Sequence, residues 1–134
     1  MKTRSLVYLA LPYTFNGEKS FDIANIVAAK LMNEGNIVFS PISHAHHISD
    51  YLDPELKYDQ EFWMGQDLPM LSKCDKLAIV HIGIDGPKLI ENSKGCQSEL
   101  KHAKTFGIPV EQYYYEEVLQ NGETVYSINK VKRY

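Results

Sequence analysis

The sequence predicts an α/β domain built on a mostly parallel sheet of about five strands. Three observations carry this. Short, nearly continuous apolar runs have the composition of strands buried on both faces. Amphipathic segments with apolar residues at helical spacing lie between them. Proline, glycine or Asn-Gly punctuates most of the joins. Strands alternating with helices in this way pack as a parallel sheet with right-handed crossovers.

The first run, Ser5 to Leu11, stops at Pro12 and reads as a buried strand. The N-terminal stretch looks superficially like a secretory signal. Its apolar part is only about seven residues, Pro12 follows at once, and no small-x-small cleavage site is present. A polar loop (Thr14, Asn16, Gly17) leads to Ser20 as a candidate cap. Phe21, Ile23, Ala24, Ile26, Val27, Ala28, Leu31 and Met32 then recur at helical spacing until Gly35. Ile37 to Phe39 is a second strand, stopped by Pro41. Ser43 to Tyr58, polar and rich in histidine, reads as loop plus a short helix. Asp59 to Cys74 carries one or two helical segments, with Pro69 suited to a first turn. Leu77 to Ile82 is the third strand, and Gly83 to Gly95 reads as a loop. Cys96 to Phe106 is a helix closed by Gly107, and Pro109-Val110 opens a fourth strand running into Tyr113, Tyr114 and Tyr115. Asn121-Gly122, between Val118-Leu119 and Val125-Tyr126, is a hairpin signal. The whole chain, 1–134, reads as one domain.

Composition narrows the function. With 14 basic against 17 acidic side chains and a net charge of −3, the chain lacks the footprint of a nucleic-acid polymer or anionic membrane partner. No apolar run approaches the ~20 residues of a membrane span. Two cysteines, Cys74 and Cys96, form no disulfide framework and suit a reducing, cytoplasmic setting. There is no G-x-G-x-x-G, no P-loop lysine and no G-x-S-x-G elbow.

In parallel α/β sheets, ligands sit beyond the carboxyl ends of the strands, where strand order reverses. That selects the segments after Leu11, Phe39 and Ile82. The third of these runs from Asn92 through Ser93, Lys94 and Gly95 into a helix, whose free N–H groups suit a single phosphate. Cys96, Glu99, Ala103 and Phe106 form one stripe, so Glu99 points to the face turned on the sheet. It is either a cleft carboxylate or a first-turn residue interacting with the helix dipole. Asp67 is either an N-cap or the partner of Glu99. A retaining glycosyl-transfer site needs two carboxyl groups about 5 Å apart. His44, His46, His47 and Asp50 are poorly spaced for zinc and read as a polar loop over the cleft, so neither a metal nor a cofactor is expected. Trp63 is a core or interface residue, or stacks a base.

Tyr8-Leu9-Ala10, Phe39-Ser40-Pro41-Ile42-Ser43-His44, Asp67-Leu68 with Asp75 eight residues on, and Ser93-x-Gly95-x-x-x-Glu99 before Gly107-Ile108-Pro109-Val110 occur in this order. Together they resemble the nucleoside 2-deoxyribosyltransferase superfamily over residues 5 to 112. The resemblance implies a flavodoxin-like (Rossmann-like) three-layer sandwich and a glycosidic C–N bond as target. It implies Glu99 as the nucleophile at C1′, and Asp67 as the residue that contacts sugar hydroxyls and assists the leaving base. Tyr8 would position the glutamate. Ser93, six residues before Glu99, matches the serine that binds phosphate in the branch hydrolysing nucleoside 5′-monophosphates. Gly95, His44 and Trp63 complete the expected substrate contacts. The chain departs from that branch at Leu11-Pro12, where glycine and serine are usual. The expected activity is hydrolysis of the base–sugar bond of a nucleoside or 2′-deoxynucleoside 5′-monophosphate. Base exchange between nucleosides, and a non-catalytic nucleotide-binding role, are the alternatives. The resemblance also implies a homodimer or homotetramer with sites at the subunit interface.

Overall fold

Five strands form one sheet in the order β2-β1-β3-β4-β5 in a computed structural model that describes residues 4–13 and 17–131. They are β1 (Leu6–Ala10), β2 (Ile37–Phe39), β3 (Lys76–Ile82), β4 (Val110–Gln120) and β5 (Glu123–Val131). The first four run parallel, and β5 returns antiparallel to β4. The parallel part has the flavodoxin-like order, whose reversal point lies between β1 and β3. Thr14 and Asn16 of the expected first loop lie outside the described residues.

Both faces of the sheet are covered, which is why β1 and β3 read as continuous apolar runs. Val7, Leu9, Ala78, Val80, Tyr113 and Tyr115 pack on Ile23, Ala24, Val27, Ala28 and Leu31 of α1 (Gly17–Asn33). Tyr8, Ala10, Leu77 and Ile79 pack on the other side. There they meet Leu71 of α4 (Gln60–Leu71), Ile90 of α5 (Gly86–Asn92), and Cys96 and Ala103 of α6 (Lys94–Thr105). Two further short helices, α2 (Pro41–Ala45) and α3 (Pro54–Lys57), flank a 3₁₀ turn at Ile48–Tyr51 in the segment expected to be loop and one short helix.

Several local expectations need correction. Ser20 is not a cap: it lies inside α1, and its hydroxyl donates to the carbonyl of Pro12 at 3.0 Å. Helix α4 is continuous and is capped by Asp59, whose carboxylate accepts from the amides of Glu61 and Phe62. Pro69 therefore falls in the last turn of that helix, not the first, where it cannot donate to the carbonyl of Gly65. The expected loop after β3 contains α5, a helix of 7 residues, too short to leave a periodic signal. Phe106 is 63% exposed, because it is the C-cap and no longer follows the helical stripe. Met32 is likewise exposed.

Other joins follow the expected chemistry. Gly107, at φ +68°, closes α6 with Ile108 N–H donating to the Ala103 carbonyl at 2.8 Å. Asn121 and Gly122 both adopt positive φ, as a two-residue hairpin turn demands. Asp75 fixes the start of β1: its carboxylate accepts from Leu6 N–H at 2.7 Å while its own N–H donates to the Leu6 carbonyl.

Gly86 opens α5 directly against β3, and a Cβ there would stand 2.6 Å from His81 Cβ and 3.0 Å from the His81 carbonyl carbon. Backbone cannot retreat as a side-chain tip can. Gly86→Ala is expected to cost about 1–3 kcal/mol in urea unfolding; an unchanged midpoint would contradict this packing.

Candidate active site

The carboxyl end of β1 opens into a cavity of about 960 Å³. The end of β1 supplies Leu9 to Tyr13, the turn after β2 supplies Pro41 and Ile42, and the start of α6 supplies Ser93 to Cys96. Asp67 from α4 and Glu99 from α6 both face it.

Glu99 is only 6% exposed. It lies beyond the first turn of α6, and its carboxyl accepts a hydrogen bond from the phenol of Tyr8. The helix-dipole reading is therefore displaced by a tertiary contact. Burial pushes the Glu99 carboxyl up to about 8; the Tyr8 hydrogen bond opposes this, and Asp67 adds to it. Tyr8 is fully buried beneath the cavity, beside the ring of Phe39 at 5.7 Å. Its phenol is pushed well above the ordinary range, first by burial and then by Glu99 and Asp67, so it remains a donor.

Asp67 is not an N-cap, since α4 begins at Gln60. It is half-buried, and burial raises its carboxyl to about 6 against the opposing influence of His44. Two carboxyl groups thus share one cavity with unequal proton affinity, a pattern typical of acid–base sites. Coupled groups of this kind titrate as a pair, with the first negative charge falling on Asp67 and the proton held longer at the more deeply buried Glu99.

Ser93 is the N-cap of α6, its hydroxyl oxygen accepting from Cys96 N–H at 3.2 Å. The first amides of α6 open the helix on the side of the cavity and suit an anion. A Cβ at Gly95 would meet nothing nearer than Gln60 Nε2 at 3.7 Å, so this glycine leaves open approach to the backbone rather than relieving a clash. The Trp63 indole donates to the Lys57 carbonyl at 2.8 Å, which fixes the ring in the cavity wall. Cys96 is buried and its thiol is pushed up to about 12, mainly by burial, so it offers no thiolate.

His44 is placed differently from the expectation. It borders a neighbouring cavity of about 400 Å³, sharing Trp63 and Asp67 as walls with the larger one. His46, two residues on, lines the main cavity together with Tyr13 and Glu18. The histidine-rich segment was expected as a polar loop over the cleft; His44 instead lies in helix α2 and His46 is its C-cap, so the path of α2 decides which ring turns inward. Among the described residues, no group of three or more His, Cys, Asp or Glu is placed to hold a metal ion, and no helix is long and apolar enough to cross a membrane.

Fold and cleft together define an α/β protein with paired carboxyl groups at the reversal point of its sheet. The chain belongs to the family described as Domain of unknown function (DUF1937), whose model matches residues 5–115. No curated protein matches it by sequence. The fold is similar to that of a 2-desoxiribosyltransferase from Leishmania mexicana, with a TM-score of 0.55 and 15% identity. That match covers 82% of this chain, which spans 64% of the Leishmania protein. It is also similar to a 2-deoxyribosyltransferase from the psychrotolerant bacterium Bacillus psychrosaccharolyticus, with a TM-score of 0.52, 23% identity, and coverage of 81% and 71% of the two chains. The likeness is one of fold.

A buried carboxyl raised to about 8 makes stability depend on pH in a definite direction. Between its ordinary value and about 8, the folded chain holds this proton while the unfolded chain releases it. Stability therefore falls as pH rises through that window. Glu99→Gln removes the dependence, and its stabilising effect over wild type is expected to be larger at pH 8.5 than at pH 5, by on the order of a few kcal/mol. Urea unfolding at the two pH values measures this; equal differences at both would contradict the burial of Glu99.

Proposed function

We propose that the protein is an N-glycosidase that hydrolyses the base–sugar bond of a nucleoside or 2′-deoxynucleoside 5′-monophosphate, with Glu99 as nucleophile. The observation that carries this reading is the Glu99 carboxyl held in the cavity by Tyr8 beside Asp67. A carboxylate poised at the C1′ carbon displaces the base and forms a glycosyl ester, which water then resolves with retention. Positive charge develops on the sugar ring as the base leaves. In a site shielded from water, that charge is stabilised by the carboxylate, so Glu99 interacts more strongly with the transition state than with the ground state. Asp67 contacts the sugar hydroxyls and assists departure of the base, Tyr8 holds Glu99, and Trp63 gives a flat surface to the base.

Ser93 supports a phosphate at the 5′ end. It combines a hydroxyl donor with the start of α6, and no acidic residue occupies the first turn of that helix. One phosphate bound by local donors needs no basic surface, in keeping with the net charge of −3. His44 shares the smaller cavity with Trp63 and Asp67 and acts on the site through its charge influence on Asp67. A second copy of the chain completing the site belongs to the same reading. It is supported by exposed Val118, Leu119, Val125 and Tyr126 on the β4–β5 hairpin.

Base exchange is the second reading, favoured by the names of the two transferases that share the fold. The deciding experiment incubates the protein with each nucleoside and each (deoxy)nucleoside 5′-monophosphate, with and without a second free base, and separates the products by chromatography. Release of free base without an acceptor is expected, and Glu99→Ala should lower it by more than about 1000-fold. Undiminished release in that variant would sink the mechanism. Exchange only when a second base is present would establish the transferase, and no turnover of any substrate would favour a binding protein.

Ser93→Asp is a sharper probe of the phosphate, because aspartate caps a helix as well as serine does. Its added charge repels the dianion, so kcat/KM for monophosphates should fall at least about tenfold more than for nucleosides. Equal losses on both would remove the phosphate assignment.

A further inference from the structure

A second hydrogen-bonded chain lines the same cavity, assembled from three separate segments. Tyr13 follows β1, Glu18 stands in the first turn of α1, and His46 caps the end of α2. The Tyr13 hydroxyl lies 2.6 Å from His46 Nδ1, and His46 Nε2 lies 2.7 Å from a carboxylate oxygen of Glu18. The His46 ring is stacked on Phe21 at 4.3 Å, is met edge-on by His47 at 5.1 Å, and its side chain is only 11% exposed. Its orientation is therefore fixed by packing as well as by hydrogen bonds. Gly17 makes room for the phenol: a Cβ there would stand 2.7 Å from the Tyr13 oxygen and 3.0 Å from the ring carbon bearing it.

The chain has a direction. Glu18 can only accept, so it holds the proton on His46 Nε2, and Nδ1 of the neutral ring accepts from the Tyr13 hydroxyl. This is the hydroxyl–imidazole–carboxylate logic of nucleophilic hydrolases, with a phenol in the first position. Burial, then the charges of Glu18 and Asp50 and the neighbouring Tyr58, raise the Tyr13 phenol, so it carries its proton at neutral pH.

We propose that Tyr13, backed by His46 and Glu18, is the acid–base group of the glycosidic reaction, protonating the departing base and then deprotonating the attacking water. The proposal rests on the N-glycosidase reading and adds a proton donor to the assistance that Asp67 gives the departing base. In the first step the C1′–N bond breaks with its electron pair going to the base, and a Glu99 oxygen bonds to C1′. The base takes the Tyr13 proton, leaving the Tyr13 phenolate beside His46. In the second step a water oxygen bonds to C1′, and the ester C1′–O bond breaks with its pair returning to Glu99. The water gives a proton to the Tyr13 phenolate. The chain is restored, and the net change is addition of water across the C–N bond. A group that acts as acid in one step and base in the next is what retention requires. Tyr13 touches substrate; His46 and Glu18 act through it as positioning residues.

The test compares two leaving groups on the same sugar phosphate. One substrate is the nucleoside 5′-monophosphate that wild type cleaves fastest. The other is the 4-nitrophenyl glycoside, whose leaving group departs as a phenolate without a proton. Tyr13→Phe is expected to lower kcat/KM about 100-fold or more on the nucleotide and less than about threefold on the nitrophenyl glycoside. His46→Gln should show the same split. Glu18→Gln should show a smaller one that Glu18→Asp reverses, since Glu18 is the most exposed member of the chain. A purely structural role would lower both substrates alike. Equal loss on both, or loss on neither, overturns the proposal while leaving the Glu99 reading intact; a wild-type protein that cleaves neither substrate overturns the reading beneath it.

Discussion

The buried hydrogen bond from Tyr8 to Glu99 is the interaction on which the site depends. It joins the central region of the sheet to α6 across the reversal point, so the fold and the candidate nucleophile are held by the same contact. Burying an ionised carboxylate costs several kcal/mol unless it is paired or hydrogen-bonded. Here the cost is lowered in two ways: the acid retains its proton to higher pH, and Tyr8 supplies a donor when the proton leaves. In the proposed reaction, a ring carbon gaining positive charge would be the partner that offsets the unfavourable ionisation of this carboxyl.

Helix α6 makes that arrangement rigid. Ser93 closes its first turn, and Gly107 with Ile108 closes its last, so Glu99 sits on an element fixed at both ends. Ser93 has two roles that do not compete. Its oxygen accepts from an amide of its own helix, and a hydroxyl that accepts can still rotate its hydrogen to donate. Asp59 fixes α4, and with it Asp67 and Trp63, by the same capping chemistry. The cavity is therefore framed by helix termini and by the ends of strands, not by long loops alone.

What the sequence revealed follows from the range of each interaction. Strands β1 and β3 are buried on both faces and were legible as apolar runs, and Glu99 was legible because Cys96, Glu99 and Ala103 share one buried stripe. Phe106 broke that stripe because a C-cap residue leaves the helical path. Helix α5 was hidden by its two turns, and Ser20 was misread because its hydroxyl bonds back to Pro12 rather than to its own helix. The Tyr13–His46–Glu18 chain was not legible. Its members are brought together by the packing of α1, α2 and the end of β1, and no periodicity records such a meeting. For the same reason His44 and His46 could not be told apart by spacing, although only His46 lines the main cavity.

The β4–β5 hairpin is the part of the chain least constrained by the parallel fold. The family model ends at residue 115, close to where β4 passes beyond its pairing with β3 at Tyr115. From there the two strands pair only with each other, and most of their side chains face outward. One contact turns the hairpin back toward the domain: Lys19 in α1 lies 2.7 Å from Glu117. An exposed pair of this kind adds at most about 1 kcal/mol of stability, so its effect is chiefly on orientation. Lys19 follows Glu18 in the first turn of α1, and Glu18 holds His46. The same helical turn thus anchors the hairpin on one side and the cavity wall on the other, which gives the outward strands a mechanical connection to the site although they contribute nothing to its lining.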